Sequence, residues 1–362
     1  MTKKIQCIFF IILVIFCGYA LAEASPILSL PDTKILEKPI RAELVLKLGS
    51  DKADEDFYKL RSFTVDKNGQ IYILDAGNSR IQCFSKEGKF LFSFGRQGQG
   101  PGELSNNATK IKILSDGNIY VIDNRQRKFL FSGKTSVYYN DIVLLNNTYY
   151  LSSLFLEENH KPIHISRTLG KIDGAFGIFV EPAVNLLQRI SRLANPYPWR
   201  MYYADSSTTK LVVTNKNEII FSQVFPYRLI KYDAKGQVLK DIMGDVDFDT
   251  YHHVKFTVTK DSVAISSSPG PPGIILDVSI NRDNLVVVSY LNPDQDFFYI
   301  DIYDLDLNLI SRYKMPNIIV DVKKEEHIGV GDVVIDNDNN LYATVISKEN
   351  YPQLVKYKLI FD

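Results

Sequence analysis

The sequence predicts an all-β protein: a six-bladed β-propeller with four-stranded antiparallel blades, the last blade closed by an N-terminal strand. Three observations lead there. Residues 61–104 read as four short strands parted by tight turns, and the pattern begins again near Thr109, a unit of about 45 residues. One hairpin signature recurs six times along the chain. The final unit stops at Asp362 after only three strands, while a strand-like segment without a unit of its own precedes the first.

The chain opens with basic Lys3 and Lys4, an apolar run from Ile5 to Phe16, and Ala20-Leu21-Ala22, a small-x-small cleavage pattern. Residues 1–22 therefore read as a signal peptide cut after Ala22. Two other readings stand beside it. The apolar character reaches Ala22 and borders on spanning length, as an uncleaved anchor would. Cys17 is placed for lipidation, although Phe16 stands where a small residue is wanted. Each reading exports the protein to the periplasm or beyond, either free or held to a membrane by the N-terminal segment.

Residues 23–41 form an N-terminal extension. Glu43-Leu-Val-Leu-Lys-Leu-Gly49 then matches Phe90-Leu-Phe-Ser-Phe-Gly95, the fourth-strand segment of the first unit. Residues 42–49 are accordingly assigned as the outer strand of the last blade, and the propeller as 42–362. Closure by both ends of the chain leaves no long unpaired edge.

The repeated hairpins are Val65-Asp-Lys-Asn-Gly-Gln-Ile-Tyr72, Ile113-Leu-Ser-Asp-Gly-Asn-Ile-Tyr120, Leu144-Leu-Asn-Asn-Thr-Tyr-Tyr150, Val213-Thr-Asn-Lys-Asn-Glu-Ile-Ile220, Ile280-Asn-Arg-Asp-Asn-Leu-Val286 and Ile335-Asp-Asn-Asp-Asn-Asn-Leu-Tyr342. Asn, Asp and Gly cluster where the chain reverses because they tolerate positive φ. A second turn, joining third and fourth strands, recurs at Phe84–Leu91, Tyr232–Leu239 and Tyr303–Ile310. Strands such as Ile71–Leu74 and Leu285–Val288 are apolar without alternation, as strands buried on both faces are. Two insertions interrupt the rhythm. Residues 181–207 carry apolar positions at helical spacing over Ala183–Leu193, then Pro196-Tyr-Pro-Trp-Arg-Met-Tyr-Tyr203. Residues 243–273 hold Asp245-Val-Asp-Phe-Asp249, His252-His253 and Pro269-Gly-Pro-Pro-Gly273.

Composition limits the partners. The 362 residues carry 42 basic and 42 acidic side chains, so no global field favours nucleic acid or an anionic membrane surface. Of three cysteines only Cys83 lies beyond the signal segment, so no internal disulfide forms and the fold must stand on its core. Cys83 shares strand parity with Ile81, which makes it a buried, inert thiol.

Residues 61–104 resemble an NHL repeat, the unit of a superfamily of six-bladed propellers. The matching positions are Asp75, Asn78, Arg80, Ile81 and Phe94-Gly95 with Gly100-Pro101-Gly102-Glu103. The second unit keeps Asp123, with Lys128 in place of Arg80, and the other four keep only the strand rhythm. The resemblance implies the fold. It leaves function open, because that superfamily includes scaffolds, extracellular binders and a few metal-dependent enzymes.

Aligned by their turns, the six units place Ser62, Lys110, Asp141, Lys210, Asp277 and Asp332 at the start of the innermost strands. These residues should ring the central channel near one mouth, where carboxylates and ammonium groups could hold a polar ligand or simply pair with one another. In the first insertion, Trp199, Arg200, Tyr202 and Tyr203 could form a stacking platform for a sugar or peptide, or pin the insertion to the propeller. Asp245, Asp247 and Asp249 suggest Ca2+, but Thr250 and Phe256 stand where a calcium loop needs Gly and Glu. Asp336, Asp338 and Asn340 fail likewise, so both runs read as turns. His160 and His164 have zinc-pair spacing broken by Pro162. Gly95-Arg-Gln-Gly-Gln-Gly-Pro-Gly102 lacks the ending of a phosphate loop and reads as a connection between blades. No cofactor is assigned. The expectation is an exported binding module recognising a peptide, glycan or partner protein at the channel mouth. The alternative is a metal-dependent hydrolase or lyase in the same channel.

Overall fold

The turns set the architecture. Asp66, Asp233, Asp304 and Asp336 each accept hydrogen bonds on one carboxylate oxygen from the backbone N–H groups two and four residues further on. The hydroxyls of Ser85 and Thr214 do the same. A short acceptor side chain at the first turn position thus satisfies the donors that a reversing backbone leaves unpaired. At the tightest reversal, Asn146 and Asn147 take φ of 49° and 56° between the paired Leu145 and Thr148. That is the two-residue turn whose twist matches antiparallel strands.

A computed structural model of the chain describes residues 28–29, 37–49, 56–123, 128–129, 132–134, 139–153, 161–178, 209–223, 227–243, 254–258, 263–267, 274–282, 284–290, 297–316, 329–346 and 352–361. Residues 1–22, expected to be a signal peptide, and most of both insertions lie outside these residues. Within the second insertion, Val254–Val258 and Val263–Ser267 form an antiparallel hairpin.

The strands form six blades in chain order. Their innermost strands are Leu60–Val65, Lys110–Ile113, Tyr139–Leu145, Thr209–Val213, Ile274–Asn281 and Gly329–Ile335. Three further strands follow outward in blades 1 to 5, each antiparallel to the last. Each innermost strand packs beside the next, and that of blade 6 returns to that of blade 1, so the ring is closed. In blade 4, Ile219–Gln223 and Arg228–Tyr232 are buried at every position, the two-sided burial that their lack of alternation anticipates.

Blade 6 has three strands from the C-terminal part of the chain and a fourth from its beginning. Strand Glu37–Leu48 runs antiparallel to Gln353–Phe361, with Ile40 opposite Phe361 and Leu48 opposite Leu354. It begins before the expected residue 42 because Glu37, Lys38 and Pro39 pair in parallel with Arg312, Tyr313 and Lys314 on the rim of blade 5. Further upstream, Leu28 and Ser29 pair in parallel with Ile242 and Met243 on the rim of blade 4. The N-terminal chain therefore straps the rims of three consecutive blades.

The core divides into six apolar clusters, one for each interface between neighbouring blades. Between blades 6 and 1, for example, Leu48, Tyr342 and Leu354 meet Phe57, Phe63 and Phe84. Burial is thus spread around the ring, and removing one blade would expose two apolar faces.

The motif positions of the first repeat prove to be anchors. Asp75 is fully buried and accepts from the backbone N–H groups of Tyr58 and Lys59 at 3.2 and 3.1 Å, from Asn78 Nδ2 at 2.7 Å and from Arg80 Nε at 3.2 Å. Asp123 accepts from the backbone N–H and hydroxyl of Ser105, both at 2.7 Å. Each carboxylate ties the segment entering its blade to the end of the blade's second strand.

Candidate functional site

The channel residues are placed by irregularities in the inner strands. In blades 1, 3 and 5 the register with the second strand shifts by one residue, at Arg61, Asn140 or Leu276, just before Ser62, Asp141 or Asp277. In blade 6, Gly331 and Asp332 together oppose a single residue of the neighbouring strand. Such bulges bend a strand and re-aim the side chain beside them. The two lysines of the set, Lys110 and Lys210, come from inner strands that carry no bulge. Short side chains thus project from the bulged strands and long ones reach across from the regular ones.

Of the six expected residues, Lys110, Asp141, Lys210 and Asp277 line one cavity, and Ser62 and Asp332 connect to them by hydrogen bonds. Lys110 of blade 2 and Lys210 of blade 4 donate to the same oxygen, Asp332 Oδ1 of blade 6, at 2.8 and 3.2 Å. The Ser62 hydroxyl donates to Asp332 Oδ2 and accepts from the Ile111 N–H at 3.2 Å. Asp141 is held by Lys112 Nζ, 2.9 Å from each carboxylate oxygen, and by the N–H groups of Leu211 and Ile142 at 2.8 and 2.9 Å. Lys112 also donates to the Leu211 carbonyl at 3.1 Å. Asp277 is buried, its Oδ2 lacks any partner, and among the described residues it makes no hydrogen bond.

These surroundings divide the carboxyls. Burial alone would raise Asp332, but Lys110 and Lys210 outweigh it and hold the group well below the usual carboxylate range. Asp141 is lowered in the same way, burial being overcome by Lys112, Lys110 and Lys210. At Asp277 burial prevails over Lys210 and Lys110, and the carboxyl is raised to about 6. Burial opposes the charge on Lys210 as well, yet Asp332, Asp277 and Asp141 carry it above the ordinary lysine value.

The cluster bounds a cavity of about 410 Å³. Lys110, Asp141, Lys210 and Asp277 line one end, Val65, Ile113, Val212 and Val334 line the walls, and the turn residues Asp66 and Asp336 stand at the other. The cavity therefore extends from the starts of the inner strands toward their first hairpins. In chain order both insertions lie between an outer strand and the next inner strand. The expected mouth, built jointly from insertions and ring, involves insertion residues that lie outside the described residues. The cavity among the described residues is walled by the propeller's own strands. Trp199, Arg200, Tyr202 and Tyr203 lie outside the described residues, as do Asp245, Asp247, Asp249, His160, His252 and His253.

Lys112 is the channel residue that the sequence reading missed. Its signal was present, since Lys110-Ile-Lys112 puts both lysines on one face of the strand. Other candidates take structural roles. His164 is buried on strand Ile163–Ser166, its Nδ1 lying 3.1 Å from the Tyr139 hydroxyl. Burial pushes the Cys83 thiol up, leaving it inert. Asp336 caps its turn. The glycine-rich stretch after Gly95 forms a short parallel pair, Arg96–Gln97 with Glu103–Leu104, in the connection from blade 1 to blade 2.

The strand order and the closed ring define a six-bladed β-propeller. A family model described as a 6-bladed β-propeller, DUF5128, matches residues 62–142, overlapping the segment that resembles an NHL repeat. The chain matches none of the curated proteins with which it was compared. Among solved structures it is similar to a Bacteroides fragilis protein described as a candidate exported protein, at 13% identity and a TM-score of 0.54 over 92% of this chain and 98% of that one. It is equally similar to a DUF4221 family member from Bacteroides vulgatus, at 13% identity and a TM-score of 0.53 over 90% of this chain and 100% of that one. Virginiamycin B lyase of Staphylococcus aureus matches at 11% identity and a TM-score of 0.47, covering 89% of this chain and 100% of the lyase. At these identities the likeness concerns the fold.

Proposed function

We propose that this protein is an exported binding module whose axial cavity receives a small polar ligand, or the exposed end of a peptide, glycan or partner protein. The carrying observation is the cavity floor. There three lysines and three aspartates from blades 2 to 6 are gathered, and one carboxylate, Asp277, is buried without a partner. A buried polar group left unsatisfied is costly. A ligand that satisfied it would recover that cost on binding. The bulges that aim Asp141, Asp277 and Asp332 inward support the same reading, as does the likeness to a protein described as exported.

The metal-dependent alternative gains no support from this arrangement. The carboxylates of the channel face lysines, and among the described residues no three His, Cys, Asp or Glu side chains stand together as a metal ion would need. The test is a thermal-shift panel of amino acids, short peptides, monosaccharides and inorganic anions on the mature chain. A stabilising ligand whose effect disappears in Asp277→Asn supports the cavity as the binding site. Ligands whose effect survives that change would move the site elsewhere.

A further inference from the structure

The channel floor has unused hydrogen-bonding capacity of both signs. An ammonium group carries three donors. Lys110 and Lys210 each give one to Asp332 Oδ1, and among the described residues neither donates elsewhere. Lys112, by contrast, is fully committed to Asp141 and the Leu211 carbonyl. Because Lys110 and Lys210 meet on one oxygen, their remaining N–H groups are close together and suit a single anionic acceptor. Asp277, lining the same cavity, offers an unpartnered carboxylate. Two residues along that strand, the Ser279 hydroxyl also lines the cavity without a partner. Above this floor the walls are largely aliphatic.

A floor with spare donors and a spare acceptor side by side, beneath aliphatic walls, matches one kind of molecule. We infer that the cavity binds a zwitterion with an apolar body, a free amino acid or short peptide, whose carboxylate bridges Lys110 and Lys210 and whose ammonium group rests on Asp277. A phosphate would use the lysines and leave Asp277 facing a second negative charge. A sugar brings neither a carboxylate for the two lysines nor an ammonium group for Asp277. The inference rests on the binding reading given above and names its ligand class.

The charged groups facing Asp277 are Lys210, Lys110, Asp332 and Lys112. The lysines favour its ionised form and burial opposes it. A bound ammonium adds to the lysines, so amine binding should strengthen as pH rises from 5 to 7.5 and take a proton off the protein as it does.

Calorimetric titration of the full mature chain at pH 7.5 tests this. The probes are the aliphatic amino acids and their dipeptides, each beside its N-acetyl and methyl-ester form, with glucose and inorganic phosphate as other chemistries. The expected result is that a free form binds and that either cap weakens it at least tenfold. Asp277→Asn should bring the free form down to the level of its N-acetyl derivative, with a cooperative melt at or above the parent's temperature showing the variant folded. An N-acetyl form that binds as tightly as the free one overturns the inference. So does binding by glucose or phosphate alone, which would keep the cavity as a binding site for another chemistry. Silence from every probe would count against both the inference and the binding reading of the cavity.

Discussion

Asp277 and Asp332 occupy equivalent places on neighbouring blades, and their surroundings drive them to opposite states. Asp332 receives two ammonium groups and a hydroxyl, whereas Asp277 receives none. The consequences for stability have opposite signs. Asp277 is raised from 3.8 to about 6, so between those values the folded chain holds a proton that the unfolded chain has lost. Its contribution is therefore most favourable below about pH 4 and is lost as pH rises through 6. Asp277→Asn should stabilise the ligand-free protein at pH 7.5 by on the order of 2 kcal/mol and leave it almost unchanged at pH 4, read by urea unfolding at both values. Asp332 and Asp141 are lowered, so their contribution is present above about pH 4 and is lost as pH falls below it. Asp332→Asn keeps the shape and removes the charge on which Lys110 and Lys210 converge. It should cost about 3–5 kcal/mol at pH 7, since breaking one side of a buried ion pair strands the other. A loss under about 1 kcal/mol would mean that water, not Asp332, satisfies the two lysines.

Among the elements, the inner strands and the closing strand carry the arrangement. The turn alignment was legible because each reversal needs a short polar side chain or a positive φ, and both leave residues behind. The same alignment located the channel set, since it fixes where every inner strand starts. The bulges were not legible, for a bulge is a property of two strands in register and neither strand declares it alone. Nor was the isolation of Asp277, which depends on what blades 2, 4 and 6 fail to offer it. The match between Glu43–Gly49 and Phe90–Gly95 extends to conformation, as Gly49 and Gly95 have φ of 108° and 93°. A Cβ on Gly49 would also lie 2.6 Å from the Pro352 carbonyl oxygen. Gly49→Ala should therefore cost about 2–3 kcal/mol, through strain and displacement of the adjoining strand. Gly117→Ala is the control. It shares the positive φ, 78°, with open space around it, and should cost only about 1 kcal/mol. Chemical unfolding of the two variants side by side reads the difference.

For the whole molecule, closure depends on residues 37–48 meeting residues 353–361. Removing residues 1–49 would bare the outer edge of Gln353–Phe361 and part of the interface formed by Leu48 with Phe57 and Phe84. The shortened chain should lose its cooperative thermal transition or associate through the bared edge, as sedimentation and calorimetry would reveal. A peptide of residues 37–49 added in trans should restore a monomeric, cooperatively melting species. If the truncated chain melts as the full one does, the strand is an ornament and the ring closes without it.

That pairing also governs when the protein can finish folding. Strand Glu37–Leu48 must wait for residues 353–361, because Ile40 has its partner in Phe361. Blades 1 to 5 can gather from contiguous chain, while the sixth needs two segments far apart in sequence. Until those segments meet the ring is an open arc, and its two end faces are greasy surfaces in search of cover. The meeting of those two distant segments, rather than any event in the middle of the chain, is then the moment at which the axial cavity first acquires its full wall.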